Sequence, residues 1–84
     1  MSYELIYSQL FSKTLKKLPR DIQKRIIFSL ERIRVRPYSY IKKLVECPYF
    51  RLRVGDYRII MDVKENKLQI FVIELGHRKN IYKK

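Results

Sequence analysis

The sequence predicts an α+β fold: one small domain over residues 1–84, a short strand and two helices followed by an antiparallel sheet of about four strands, with the helices packed on one face of the sheet. Three observations predict it. Apolar side chains recur at helical spacing between residues 9 and 35, and they alternate at period two around two turn signals between residues 49 and 75. The third is length: 84 residues can bury one helix layer on one sheet and little more.

Taken in order, Tyr3, Leu5 and Tyr7 fall on one side of an extended segment, a short first strand. Ser8 follows, and its hydroxyl suits the N-cap of a helix starting at Gln9. Phe11, Leu15 and Leu18 stand at i, i+4 and i+7, with Lys13, Lys16 and Lys17 on other faces. Pro19 ends this helix and, because proline suits a first helical turn, can open the next. Ile22, Ile26, Leu30 and Ile33 then predict a longer helix from about residue 19 to 35, widened by Ile27 and stopped near Pro37. Lys24, Arg25, Arg32, Arg34 and Arg36 lie outside that stripe, either as a solvated helix face or as an electrostatic footprint for a polyanion. Residues 38–48 have little periodicity and read as a connection leading into a short strand around Lys42 to Glu46. Cys47 has no base beside it in sequence and reads as a structural thiol. No repeat, low-complexity tract or linker divides the chain.

The second half tests itself, because hairpin turns set register and register decides which side chains share a face. Gly55-Asp56 suits a type II′ turn and would pair Val54 with Tyr57, Arg53 with Arg58, Leu52 with Ile59 and Arg51 with Ile60. Glu65-Asn66 would form a second two-residue turn, pairing Val63 with Leu68, Met61 with Ile70 and Arg58 with Ile73, with the strand ending at Gly76. One face then carries Leu52, Val54, Tyr57, Ile59, Met61, Val63, Leu68, Ile70 and Val72 for the helices to cover. The other carries Tyr49, Arg51, Arg53, Arg58, Ile60, Asp62, Gln69, Phe71 and Ile73, apolar in the middle and basic towards one end. Arg53 opposite Arg58 is informative: like charges directly across a ladder destabilise it by roughly 0.2–1 kcal/mol unless an anion bridges them. Either a phosphate binds there or the two arginines splay into water. Ile60, Phe71 and Ile73 have no internal cover, so a partner segment is expected to pack near them.

Charge narrows the function classes. Twenty Lys+Arg against eight Asp+Glu, a formal +12, call for a polyanionic or acidic partner. The single cysteine excludes an internal disulfide, and no Cys or His pair has metal-ligand spacing, so neither metal nor cofactor is expected. No apolar run reaches the roughly 18 residues of a membrane span. The N-terminus lacks a signal-peptide pattern, and a cytoplasmic protein with no membrane partner is expected.

Phe50-Arg51-Leu52-Arg53, then Gly55-Asp56-Tyr57-Arg58-Ile59-Ile60, and finally Leu75-Gly76-His77-Arg78 with Tyr82, resemble the RelE/ParE superfamily of toxin–antitoxin toxins, the RelE branch in particular. The resemblance covers essentially the whole chain. It implies a ribosome-dependent endoribonuclease (mRNA interferase) that cuts messenger RNA in the ribosomal A site and is held inactive by a cognate acidic, RelB-like antitoxin. The implied chemistry is attack of a ribose 2′-hydroxyl on the adjacent phosphorus without a metal. Carried over by position, Arg58 and Arg78 would stabilise the dianionic transition state, while Arg51 and Arg53, with Tyr49 and Lys79, would hold RNA and its phosphates. Arginine is a poor general base, so proton transfer would fall to Tyr82 or to His77, the one histidine. The chain departs from RelE-like patterns where lysines are common, at Tyr49 and Arg51, and no helix is expected after Tyr82. Two other readings stay open: a ParE-like toxin of the same fold that poisons DNA gyrase by binding, and a non-catalytic basic RNA-binding protein.

Overall fold

A computed structural model describes residues 2–77. β1 (Glu4–Tyr7) leads into α1 (Gln9–Lys16) and α2 (Arg20–Ile33), then a 3₁₀ turn (Pro37–Ser39), and β2 (Lys42–Lys43), β3 (Phe50–Val54), β4 (Tyr57–Lys64) and β5 (Gln69–His77) follow. The strands form one sheet in the order β1-β5-β4-β3-β2. From β2 to β5 all pairings are antiparallel, as expected of the four strands after the helices. β1 adds a fifth strand at the edge, parallel to β5, with Leu5 opposite Ile70 and Tyr7 opposite Val72. The connection between these two strands runs through both helices and β2 to β4, since a parallel neighbour cannot be reached by a tight turn.

Both helices begin where the sequence places them. The Ser8 hydroxyl accepts from the Phe11 N–H at 3.0 Å, and α1 starts at the next residue. α2 holds the whole apolar stripe but stops slightly short of the expected range of about 19 to 35; Pro19 is its N-cap and Arg34 its C-cap. Residue 34 also ties the chain's beginning down: Tyr3 N–H donates to Arg34 C=O at 2.8 Å, and Arg34 Nε returns a bond to Tyr3 C=O at 2.8 Å. The segment 38–48 holds less strand than expected, since only Lys42 and Lys43 pair with β3.

The core lies between the helices and one sheet face: Phe11, Ile26, Leu30 and Ile33 against Leu52, Ile59, Met61, Ile70, Val72 and Leu75. Val54, Tyr57 and Val63 pack at its margin. The Tyr7 ring stacks on Phe11 with centroids 5.3 Å apart. Burial raises the Tyr7 phenol above the ordinary tyrosine pKa; Glu31 adds to this and Arg34 opposes it.

The first hairpin has the expected register at every pair, with Gly55 at φ +59° and Asp56 outside the left-handed region, as a type II′ turn requires. The second turn differs. Glu65–Lys67 form a 3₁₀ turn closed by Leu68 at φ 53°, so Leu68 is a turn residue, not a partner of Val63. The register moves by two: Val63 faces Ile70 and Met61 faces Val72. An even slip keeps every side chain on its predicted face, which is why the apolar face survives it.

A second departure changes a face. The ladder shifts between Ile60 and Met61, so Ile60 faces Glu74, Ile59 faces Leu75, Arg58 faces Gly76 and Tyr57 faces His77. Ile73 is the extra residue of this bulge, an odd slip that brings Leu75 into the core and Glu74 out beside Ile60. β5 also runs to His77, one residue past Gly76, where the sequence suggested an end.

Ser8 sits where these features meet. Its hydroxyl donates to Ile73 C=O at 2.6 Å while accepting from the Phe11 N–H, and its own N–H donates to Val72 C=O at 2.9 Å. Ser8→Ala removes the cap and leaves the bulge carbonyl without its donor. The expected loss is about 1–2 kcal/mol in urea unfolding, with Ser8→Thr recovering most of it.

Candidate nucleic-acid interface

Period-two alternation places Arg51 and Arg53 of β3 and Arg58 of β4 on the face away from the helices, and Arg53 and Arg58 are directly opposed. Arg53 is exposed and Arg51 half-buried, but Arg58 is only 9% exposed. A guanidinium so enclosed is held in place along its whole length, and its planar fork suits two phosphate oxygens at once. The predicted confrontation is therefore present, with unequal members: one arginine buried, the other free to swing at the rim.

Arg58 lines a groove of about 600 Å³ together with Thr14, Leu18, Leu44, Tyr57, Ile60 and the last four residues of β5, Glu74, Leu75, Gly76 and His77. The groove forms where β1 stops. β1 covers β5 only as far as Val72, leaving residues 74–77 as an open edge beside the end of α1. Gly76 lies across from Arg58 and places no side chain opposite it. The mixture of walls is suited to a ligand with both charge and a flat apolar part: Leu18, Leu44, Ile60 and Tyr57 on one hand, Arg58, His77 and Glu74 on the other.

The predicted residues divide into three groups. Arg58 and His77 meet in the groove, although the register puts His77 opposite Tyr57, on the helix side of the sheet. The two rings meet edge to face at 5.2 Å and 89°, which fixes the imidazole at the groove's end. Arg51, Arg53 and Tyr49 lie outside the groove on the adjoining face; Tyr49 is 37% exposed immediately before β3, its carbonyl accepting from the Leu44 N–H at 3.0 Å. Arg78, Lys79 and Tyr82 lie outside the described residues. Glu74 does not stand out in the sequence, because without the bulge Ile73 would take its place opposite Ile60.

Among the described residues the ion pairs are Arg34–Glu31 at 2.8 Å and Lys64–Asp62 at 3.2 Å, and neither involves Arg51 or Arg53. No three of the described His, Cys, Asp and Glu residues come together as metal ligands. No described helix is long and apolar enough to cross a membrane.

Comparison with known proteins agrees with this architecture. The family model for the ParE toxin of type II toxin–antitoxin system, parDE, matches residues 5–82. No curated protein matches the chain in sequence. Among solved structures, the RelB–RelE antitoxin–toxin complex from Methanococcus jannaschii is similar at 32% identity and TM-score 0.75, over 93% of this chain and 95% of that one. The archaeal RelE–RelB complex from Pyrococcus horikoshii OT3 is similar at 25% identity and TM-score 0.81, over 93% and 97%. The RelBE2 toxin–antitoxin complex from Mycobacterium tuberculosis shares the fold at 21% identity and TM-score 0.85, over 93% and 100%. With the family model spanning nearly its whole length, this chain belongs to the ParE toxin family, within the RelE/ParE superfamily of type II toxin–antitoxin toxins.

Proposed function

We propose that this toxin is a ribosome-dependent endoribonuclease that cleaves messenger RNA in the A site and so inhibits translation. The observation that carries the reading is Arg58: a nearly buried guanidinium in an open groove, with glycine on one side and a second arginine on the other. A scissile phosphate seated there would have its developing negative charge met by a donor already in place, the arrangement that lowers the barrier to phosphoryl transfer. The 2′-hydroxyl attacks the neighbouring phosphorus, the bond to the 5′-oxygen breaks, and a 2′,3′-cyclic phosphate results. One group must take the 2′-proton and another supply one to the leaving oxygen. His77 and Glu74, beside the Tyr57 phenol, are the described groove residues able to do so, with Tyr82 a further candidate, while Arg78 joins Arg58 in meeting the phosphate charge. Arg51, Arg53, Tyr49 and Lys79 hold the flanking RNA.

The partner belongs to the same proposal. A RelB-like antitoxin, acidic enough to offset a formal +12, would find exposed apolar anchors at Leu10, Phe28 and Val35, 55%, 67% and 62% exposed. The half-buried Ile60 and Phe71 of the second sheet face offer it another seat.

A second reading, gyrase poisoning by binding, is favoured by the family model itself, which is that of a ParE toxin. A translation reaction with the purified chain separates the two, with message ends mapped in the presence and absence of ribosomes. Cuts that require ribosomes and keep codon phase are expected. Intact message together with gyrase-dependent DNA breaks would overturn the ribonuclease reading in favour of the second.

A further inference from the structure

The arginine face continues onto the edge strand. β2 is two residues long, and its register places Lys42 opposite Arg51 and Lys43 opposite Phe50. Phe50 packs against the core, and Lys43 follows it, its Nζ 5.9 Å from the Phe50 ring centroid. Lys42 therefore lies on the other face, exposed, beside Arg51. That face carries two rows across the strands: Gly76, Arg58 and Arg53 in one, and Glu74, Ile60, Arg51 and Lys42 in the next.

Each row thus contains a directly opposed pair of cations, Arg53 with Arg58 and Lys42 with Arg51. One like-charge pair across a ladder is unfavourable, and two in adjacent rows compound the repulsion. No described carboxylate forms an ion pair with Lys42, Arg51 or Arg53. The rows are two residues apart along the strands, about 6.7 Å, and the two pairs are offset by one strand, about 4.8 Å, so their centres lie about 8 Å apart. The reach of the arginine and lysine side chains brings that within the span of successive phosphates in an extended single strand. We infer that Lys42 and Arg51 form a second phosphate seat, one nucleotide along the strand from the phosphate held by Arg53 and Arg58. Ile60, opposite Arg51 in one row and two residues from Arg58 along β4, borders both seats as an apolar floor for the intervening nucleoside.

The inference rests on the reading that this face binds RNA. A competing role for Lys42 is to keep a short edge strand from pairing with another sheet, which lysine does well. Lys43 would serve that role equally, with the same charge on the same strand, but it faces the other way. The two lysines therefore form a matched comparison.

The test measures binding of the full chain to a 2′-O-methylated oligouridylate pentamer, which cannot undergo 2′-hydroxyl attack, by fluorescence anisotropy across a salt series. Lys42→Ala is expected to weaken binding roughly twofold to fivefold. It should also make the slope of log K against log salt shallower by about 0.7, the value for one phosphate of a single strand. Lys43→Ala should leave the slope at its wild-type value. Equal effects from the two lysines, or no effect from Lys42→Ala, overturn the second seat. Arg53→Ala separates the two levels: if it lowers the slope and Lys42→Ala does not, only the second seat fails, whereas an unchanged slope with Arg53→Ala removes the RNA reading of the whole face.

Discussion

Arg58→Ala is expected to lower cleavage of message on translating ribosomes by about 10²–10³-fold while the protein stays folded. The size follows from what removing one preorganised donor costs elsewhere in catalysis, about 3–4 kcal/mol of transition-state stabilisation. Two features raise the expectation for this arginine above that for its neighbours. Arg58 is nearly buried, so its guanidinium needs no reorganisation when charge develops, whereas Arg53 at the rim must be ordered first. Gly76 across the ladder places no side chain opposite it. Arg58→Lys keeps the cation but loses the planar fork, so an intermediate rate is expected, set by the loss of bidentate contact. Circular dichroism and thermal melting establish that each variant is folded. Wild-type cutting by folded Arg58→Ala would show that the phosphate is held elsewhere. Arg78→Ala, the other carried-over arginine, is expected to fail in the same way.

The largest effect on stability is expected at Phe11. Its side chain is fully buried in the first turn of α1, and the α1 residues on either side of it are half-buried or exposed. Truncation to alanine in a core typically costs about 3–5 kcal/mol, transfer and cavity terms together. A domain of this size has roughly 4–13 kcal/mol in all, from about 0.05–0.15 kcal/mol per residue. Phe11→Ala therefore removes a large part of the stability and, at the low end, unfolds the protein. Phe28→Ala is the comparison: at 67% exposed it should stay within about 0.5 kcal/mol of wild type. Denaturant midpoints at constant m distinguish the outcomes, and equal losses from the two phenylalanines would contradict this packing of α1. The consequence reaches function, because α1 carries Thr14 into the groove wall and leads to Leu18, which lines it as well. A loosened α1 leaves Arg58 in a groove open on that side.

How far the sequence determines this protein depends on the range over which each feature is encoded. The helices, the Ser8 cap and the first hairpin are legible because each is local. A hydroxyl three residues before an N–H, an apolar stripe at period 3.6 and a glycine at the first central position of a two-residue turn all act within a few residues. The Arg53–Arg58 confrontation follows from that turn alone, and so the centre of the candidate site is legible in the chain's own pattern. The second turn is not, because Leu68 adopts a left-handed conformation that a leucine takes only when the surrounding sheet imposes it. The apolar face is still the expected one, since the difference is an even slip.

Three things are decided by tertiary structure. β1 lies parallel to β5, a pairing across more than sixty residues of sequence that no local pattern specifies. Because β1 ends opposite Val72, the last part of β5 is left as an open edge, and that edge is what makes the groove. The bulge at Ile73 then turns Gly76 rather than a branched side chain towards Arg58, and brings Glu74 onto the same face. Alternation along a strand tells which residues share a face only while the ladder is unbroken, and one extra residue reverses every assignment beyond it. The residues of the site are therefore written in the sequence, while their facing one another across an open groove is settled by how β1, α1 and β5 pack.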